Sequence, residues 1–144
     1  MTIADNTPLS LVHVLSNRID RAFYGEIETR FGITLAEWRV MLTLTSEPGI
    51  SATEITDRWA MEKMAVNRAV QHLIDQKLVV RARNANDGRR YKLNLTDKGQ
   101  ELYEKIAPSA NRRYGELMSV IDKRESETLI AALRKIIERA EELN

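Results

Sequence analysis

Residues 84–96 read NANDGRRYKLNLT, and they gather most of the chemistry that the chain offers. Asn86-Asp87-Gly88 is a turn, Arg89 and Arg90 follow it, and Tyr91, Leu93 and Leu95 then alternate with Lys92 and Asn94. Alternation after a turn predicts a β-hairpin with two guanidinium groups at its tip. Upstream, Lys63, Met64, Asn67, Arg68 and Gln71 recur at three- and four-residue spacing, which places them on one helical face. Arginine donates two hydrogen bonds to guanine, asparagine or glutamine pairs bidentately with adenine, and methionine packs on a thymine methyl. A hairpin beside such a helix would reach the neighbouring minor groove, where narrow A·T tracts attract arginine. Arg89 is the probe in that reading, and Arg81, Arg83, Arg90 and Lys92 face phosphates. Asp87, an anion at the same tip, makes sense if it holds a cation or bonds the amides of its own loop.

The charge distribution fits a polyanion partner better than the total does. The chain of 144 residues carries only +1. Between Arg58 and Lys92, however, nine cations face three carboxylates, a net of +6, which leaves −5 for the remainder. A basic middle between acidic ends suits a chain that meets nucleic acid with one region. With 43% apolar and 30% charged residues the composition is that of a soluble globular protein. No apolar run approaches the roughly 18 residues of a membrane span and no leader is visible, so a cytoplasmic location without membrane contact is expected. The absence of cysteine excludes disulfides and thiol redox chemistry, and His13 and His72 alone argue against a metal site or other cofactor. Without a cysteine nucleophile, a glycine-rich phosphate loop or a histidine–carboxylate spacing, the chain does not read as an enzyme.

The elements that position these residues are mostly helical. Thr7-Pro8 opens a first helix that runs to about Arg30, where Gly32 ends it. Thr34 to Glu37 is a capping box for a second helix, stopped by Pro48-Gly49. Ser51 to Glu54 is another, opening a short helix to Trp59, and after Ala60-Met61 comes a helix over 62–77 with Ala65, Val66, Ala69, Val70, Leu73 and Ile74 on one stripe. Two short helices joined by a tight turn read as helix-turn-helix. The hairpin over 79–95 follows, then a long helix from Thr96 that Pro108 should kink or divide, and a last helix capped near Asp122. The fold class is mainly α with a small β-hairpin: a winged helix-turn-helix core flanked by N- and C-terminal helices. A single domain is expected over 1–144, with the winged lobe at about 34–96 and the flanking helices at about 8–31 and 97–144. Those flanking helices have no sheet to pack on, so pairing between two subunits is expected, a homodimer.

Three stretches, DGRRYKLNLT (87–96), TLAEWRVM (34–41) and ATEITDRWAMEKMAVNRAVQHLIDQKLV (52–79), resemble the MarR family of winged helix-turn-helix regulators, in order and over nearly the whole length. In the first, Asp87, Arg89, Leu95 and Thr96 match the wing signature. The resemblance implies a homodimeric transcription regulator on a pseudo-palindromic operator of double-stranded DNA, usually a repressor released by a small molecule, with Arg89 entering the minor groove and Asp87 holding the wing. Ala60 stands where many relatives carry glycine, and Trp59 where a smaller aliphatic residue is usual. Relatives often bind effectors in the crevice between the dimerisation helices and the DNA-binding lobe. Here the candidates are His13, Phe23, Tyr24, Trp38 and Arg39. Arg39 suits a carboxylate and Trp38 a ring, which suggests an aromatic or phenolic acid, although Arg39 could instead pair with Glu37 or Asp57. The alternative class is a winged-helix protein-interaction module without sequence-specific DNA binding, which the basic window disfavours.

Arg89→Ala tests the wing directly. DNA binding should weaken by about 1–3 kcal/mol at most, with the dimer intact by sedimentation, since a groove-inserted arginine is separate from the flanking helices.

Overall fold

The computed structural model describes residues 6–83, 85–86 and 90–144, together with the backbone but not the side chain of Phe23. In chain order the elements are α1 (Pro8–Ile19), a π-helical turn (Asp20–Tyr24), α2 (Gly25–Phe31), α3 (Leu35–Ser46), α4 (Ala52–Trp59), α5 (Lys63–Asp75), β1 (Val79–Arg83), β2 (Tyr91–Leu95), α6 (Asp97–Met118) and α7 (Lys123–Glu142). Two compact units divide the chain, Met1–Pro108 and Ser109–Asn144.

In the first unit the helix starts follow the caps. Thr7 Oγ1 accepts from the Ser10 amide at 3.2 Å, Thr34 Oγ1 from Glu37 and Ser51 Oγ from Glu54, and the third residue of each box answers the cap's own amide. The first helix is not the uninterrupted α-helix that its apolar spacing suggests. One π turn interrupts it at Asp20–Tyr24, a rare device that occurs mostly as a single turn and frequently at functional sites. Gly32 closes α2 at φ +69°, its amide donating to the Glu28 carbonyl.

Ile33, Met41, Leu44, Ile50, Ile55, Val66, Leu73, Leu78, Val79, Leu93 and Ile106 form the buried core of this unit. α5 packs on α3, α4 and β1 through its single apolar stripe. The stacked rings of Trp38 and Tyr103, with centroids 5.3 Å apart, tie α3 to the start of α6. Both helices of the helix-turn-helix end in the same way. Met61 N–H reaches back to the Thr56 carbonyl and Leu78 N–H to Leu73, while Ala60 (φ +50°) and Lys77 (φ +61°) make the left-handed exits. The hairpin is antiparallel, with Val79 opposite Leu95 and Arg81 opposite Leu93. It is also pinned from outside: Gly49 N–H donates to the Leu93 carbonyl and Leu93 N–H to the Ile50 carbonyl, at 2.9 and 3.1 Å.

Where the chain enters α6 there is no spare room. Thr96 Oγ1 donates to the Lys77 carbonyl at 2.6 Å and accepts from the Gly99 amide, and a Cβ on Gly99 would lie 2.0 Å from the Leu78 carbonyl oxygen. Of the two outcomes expected at Pro108, a kink or a division, the structure excludes division of α6. One proline removes a single backbone hydrogen bond, and the 22-residue helix continues on both sides of it.

The second unit holds the end of α6 and α7, whose start is the Asp122–Glu125 capping box. Its apolar side chains remain in water: Leu129, Ile130, Ile136 and Ile137 are 41–56% exposed and Val120 is 83% exposed. The same holds for Leu9, Leu11, Val12, Val14 and Leu15 of α1 in the first unit. Among the described residues no helix is long and apolar enough to cross a membrane, and no three His, Cys, Asp or Glu side chains gather around a metal position.

The left-handed Ala60 gives a stability prediction. An alanine there costs about 1–2 kcal/mol, offset in part by the extra freedom that glycine loses on folding, about 0.4–1 kcal/mol. Ala60→Gly should therefore stabilise the fold by about 0.5–1 kcal/mol, read as a higher denaturant midpoint at unchanged slope.

Candidate nucleic-acid interface

α5 presents two faces because its sequence does. Val66, Ala69, Val70 and Leu73 are buried, whereas Lys63, Met64, Asn67, Arg68 and Gln71 all lie exposed on the opposite side. Met64 is 64% exposed, unusual for a long apolar side chain without a partner to meet. Gln71 is not idle: its amide donates to Asp75 Oδ1 at 2.8 Å, a bond that a base edge would have to replace.

The hairpin stands beside this helix. A cleft of about 310 Å³ is lined by Asn67 and Gln71 of α5, Arg81 and Tyr91 of the strands, Arg90, and Ser51 to Thr53 at the start of α4. Arg81 lies over the Tyr91 ring at 5.0 Å, which steadies the guanidinium and leaves its edge to accept a phosphate. Arg83 is exposed at the end of β1. Among the described residues, Arg58 and Arg90 of the basic window have carboxylate neighbours. Arg58 hydrogen-bonds Glu47, which holds that carboxyl below its usual range, and Arg90 is 3.8 Å from Glu54. Asp87 and Arg89, the two wing residues of greatest interest in the sequence, lie outside the described residues.

The five effector candidates do not form one group. Trp38 is 3% exposed and stacked on Tyr103, so it is core. His13 is exposed on α1, about three turns before Tyr24. The Phe23 side chain is outside the described set. Tyr24 and Arg39 do belong together. The Tyr24 phenol is pushed above its ordinary value by burial, with Arg39 lowering it and Asp20 raising it. Arg39 has no ion pair with Glu37 or Asp57. Its Nε is buried without a hydrogen-bond partner among the described residues, as is Asp20 Oδ1, and its guanidinium lies 5.2 Å from the Trp59 ring centre. Trp59 in turn donates from Nε1 to Thr43 Oγ1 at 2.8 Å.

Sequence reasoning missed Asp20, Trp59 and the α4 start. The capping box at Ser51 and the unusual tryptophan were both visible, but nothing local placed them beside Asn67 or Arg39.

A sequence profile of the MarR family matches residues 31–90. The chain is 28% identical over 116 residues to the HTH-type transcriptional regulator FarR of Neisseria gonorrhoeae, covering 78% of this chain and 80% of that one. The structure superposes on a MarR/EmrR family transcriptional regulator from Acinetobacter sp. ADP1 with a TM-score of 0.85 and 29% identity, over 93% and 94% of the two chains. A complex of S. aureus MepR with DNA has the same fold, with a TM-score of 0.81 at 23% identity over 94% of this chain and 99% of that one.

Two substitutions separate reading from gripping on this face. Arg68→Ala should cost about 1–3 kcal/mol on the preferred duplex and relax selectivity at one base pair. Lys63→Ala should weaken all duplexes alike and reduce the salt slope by about 1. Competition titrations against point-substituted duplexes would distinguish the two.

Proposed function

We propose that the chain is a transcriptional regulator of the MarR family, whose profile it matches over residues 31–90, and within it a ligand-responsive repressor that binds a pseudo-palindromic operator as a homodimer. The observation that carries this reading is the exposed row Lys63, Met64, Asn67, Arg68 and Gln71 beside a cationic hairpin, two elements that share one cleft. α5 reads the major groove, the hairpin reaches the adjacent minor groove, and the surrounding cations hold phosphates. Dimerisation is supported by the uncovered apolar side chains of α1 and α7, which are otherwise left in water.

The effector site, in this proposal, lies between the π turn and α3. Arg39 Nε and Asp20 Oδ1 are buried there without hydrogen-bond partners among the described residues, and the Tyr24 phenol is close enough to feel both charges. An acid satisfies Arg39, and an aromatic or phenolic ring suits Tyr24 and Trp59. The ligand regulates by binding unequally to the operator-competent and incompetent arrangements.

Selection of duplexes from a random pool at moderate salt tests the regulator reading. The expected result is an enriched pseudo-palindrome with half-sites about 10 bp apart. About six phosphate contacts per protomer predict a log–log salt slope near −5 for each. Saturating benzoate or hydroxybenzoate should weaken the selected complex. Binding without an enriched sequence, or no binding to any duplex, would refute the reading and favour a protein-interaction module.

A further inference from the structure

We infer that Glu37 and His72 are positioning residues for the proposed reading helix, joined by a directional hydrogen bond between α3 and α5. The inference rests on the role proposed for α5 and adds residues that make no contact with a base in that proposal. Glu37 is a carboxylate at the start of α3 with a side chain only 4% exposed, and burial of a charge is costly unless it is hydrogen-bonded. Its Oε2 accepts from the Thr34 amide at 3.3 Å, closing the α3 capping box. Its other oxygen, Oε1, accepts from His72 Nδ1 at 2.5 Å, across the junction of α3 with α5.

The ring is half exposed. Because an ionised carboxylate only accepts, Nδ1 carries the hydrogen. The far nitrogen, Nε2, faces Gln76 Nε2 at 2.9 Å. Among the described residues, three other charged side chains lie near the ring. Arg68 is one turn earlier on α5 and borders the same small cavity, Asp75 accepts from Gln71, and Lys98 of α6 donates to the Gln76 carbonyl at 3.0 Å.

Elsewhere the α3–α5 contact is apolar and tolerates small rotations. The Glu37–His72 bond is directional, and it acts one residue beyond Gln71 and one turn beyond Arg68. Rotation of α5 that misaligns those two side chains also stretches this bond. Because its acceptor is an ionised carboxylate the bond is charge-assisted, and such bonds are roughly twice as strong as neutral ones. The pose of α5 is therefore held more firmly with this bond than without it.

The test measures binding to a duplex selected from a random pool and to a scrambled duplex of the same composition, at one pH and salt concentration. His72→Phe removes the donor, and the ratio of the two affinities should fall about three- to tenfold. His72→Asn, which keeps a donor near the position of Nδ1, should restore most of that loss. An unchanged ratio in His72→Phe would overturn the inference. So would a loss shared equally by both duplexes, which would report phosphate attraction, or a loss that His72→Asn does not relieve. Thermal melting checks that each variant folds. Nitrogen NMR of the His72 ring reads the bond without DNA: a Nδ1 shift that ignores Glu37→Gln overturns the pairing, whatever the outcome for the regulator reading.

Discussion

The burial of one stripe of α5 against α3 is the interaction on which the proposed interface depends. Val66, Ala69, Val70 and Leu73 leave water together, and in doing so they turn Lys63, Met64, Asn67, Arg68 and Gln71 outward. A helix with apolar residues at this spacing has only one stable orientation on a core. The exposed polar row is thus a by-product of the hydrophobic effect, and its direction is as secure as the core behind it. Polar contacts refine the pose within that orientation, since apolar contacts resist separation better than they resist small rotations.

Around α5, short constraints replace long elements. Left-handed exits at Ala60 and Lys77 bring the chain out of α4 and α5 within a residue or two. Gly49 and Ile50 pin Leu93, so a two-stranded hairpin, marginal alone, gains a third point of attachment. The contact of Gly99 with the Leu78 carbonyl and the Thr96 bond to Lys77 fasten the end of α5 to the start of α6. Strain and close approach are tolerated here because neighbouring bonds over-determine the geometry.

Charge in this chain is divided between grip and structure. Arg58 and Arg90 have carboxylate neighbours, Gln71 is held by Asp75, and Arg39 lies over Trp59. The exposed ion pairs among these, Arg58 with Glu47 and Arg90 with Glu54, contribute little to stability, but they bear on which cations are open to a partner. Lys63 and Arg68 on α5 are exposed outside these pairs, and Arg81 is steadied by a ring that leaves its donors open. The basic window of the sequence therefore overstates the charge that is immediately available to a polyanion.

Much of the fold was legible in the sequence because its signals are local. Capping boxes at Thr34, Ser51 and Asp122, the stripe on α5 and the strand alternation at Tyr91, Leu93 and Leu95 each concern residues within a turn or two of one another. Periodicity could not announce the π turn at Asp20–Tyr24, since one inserted residue barely disturbs an apolar spacing, nor could it show that α6 would run through Pro108. The site divides along the same line. The exposed polar face of α5 follows from the spacing of its own residues. The Glu37–His72 bond, the Arg39–Trp59 contact and the burial of Trp38 on Tyr103 join residues far apart in the chain. By itself, then, the sequence determined which faces are apolar, where helices begin and which region is basic, because those depend on neighbours along the chain. Only the tertiary structure decided which polar groups meet, because the partner of a buried charge is chosen by packing and no spacing rule encodes it.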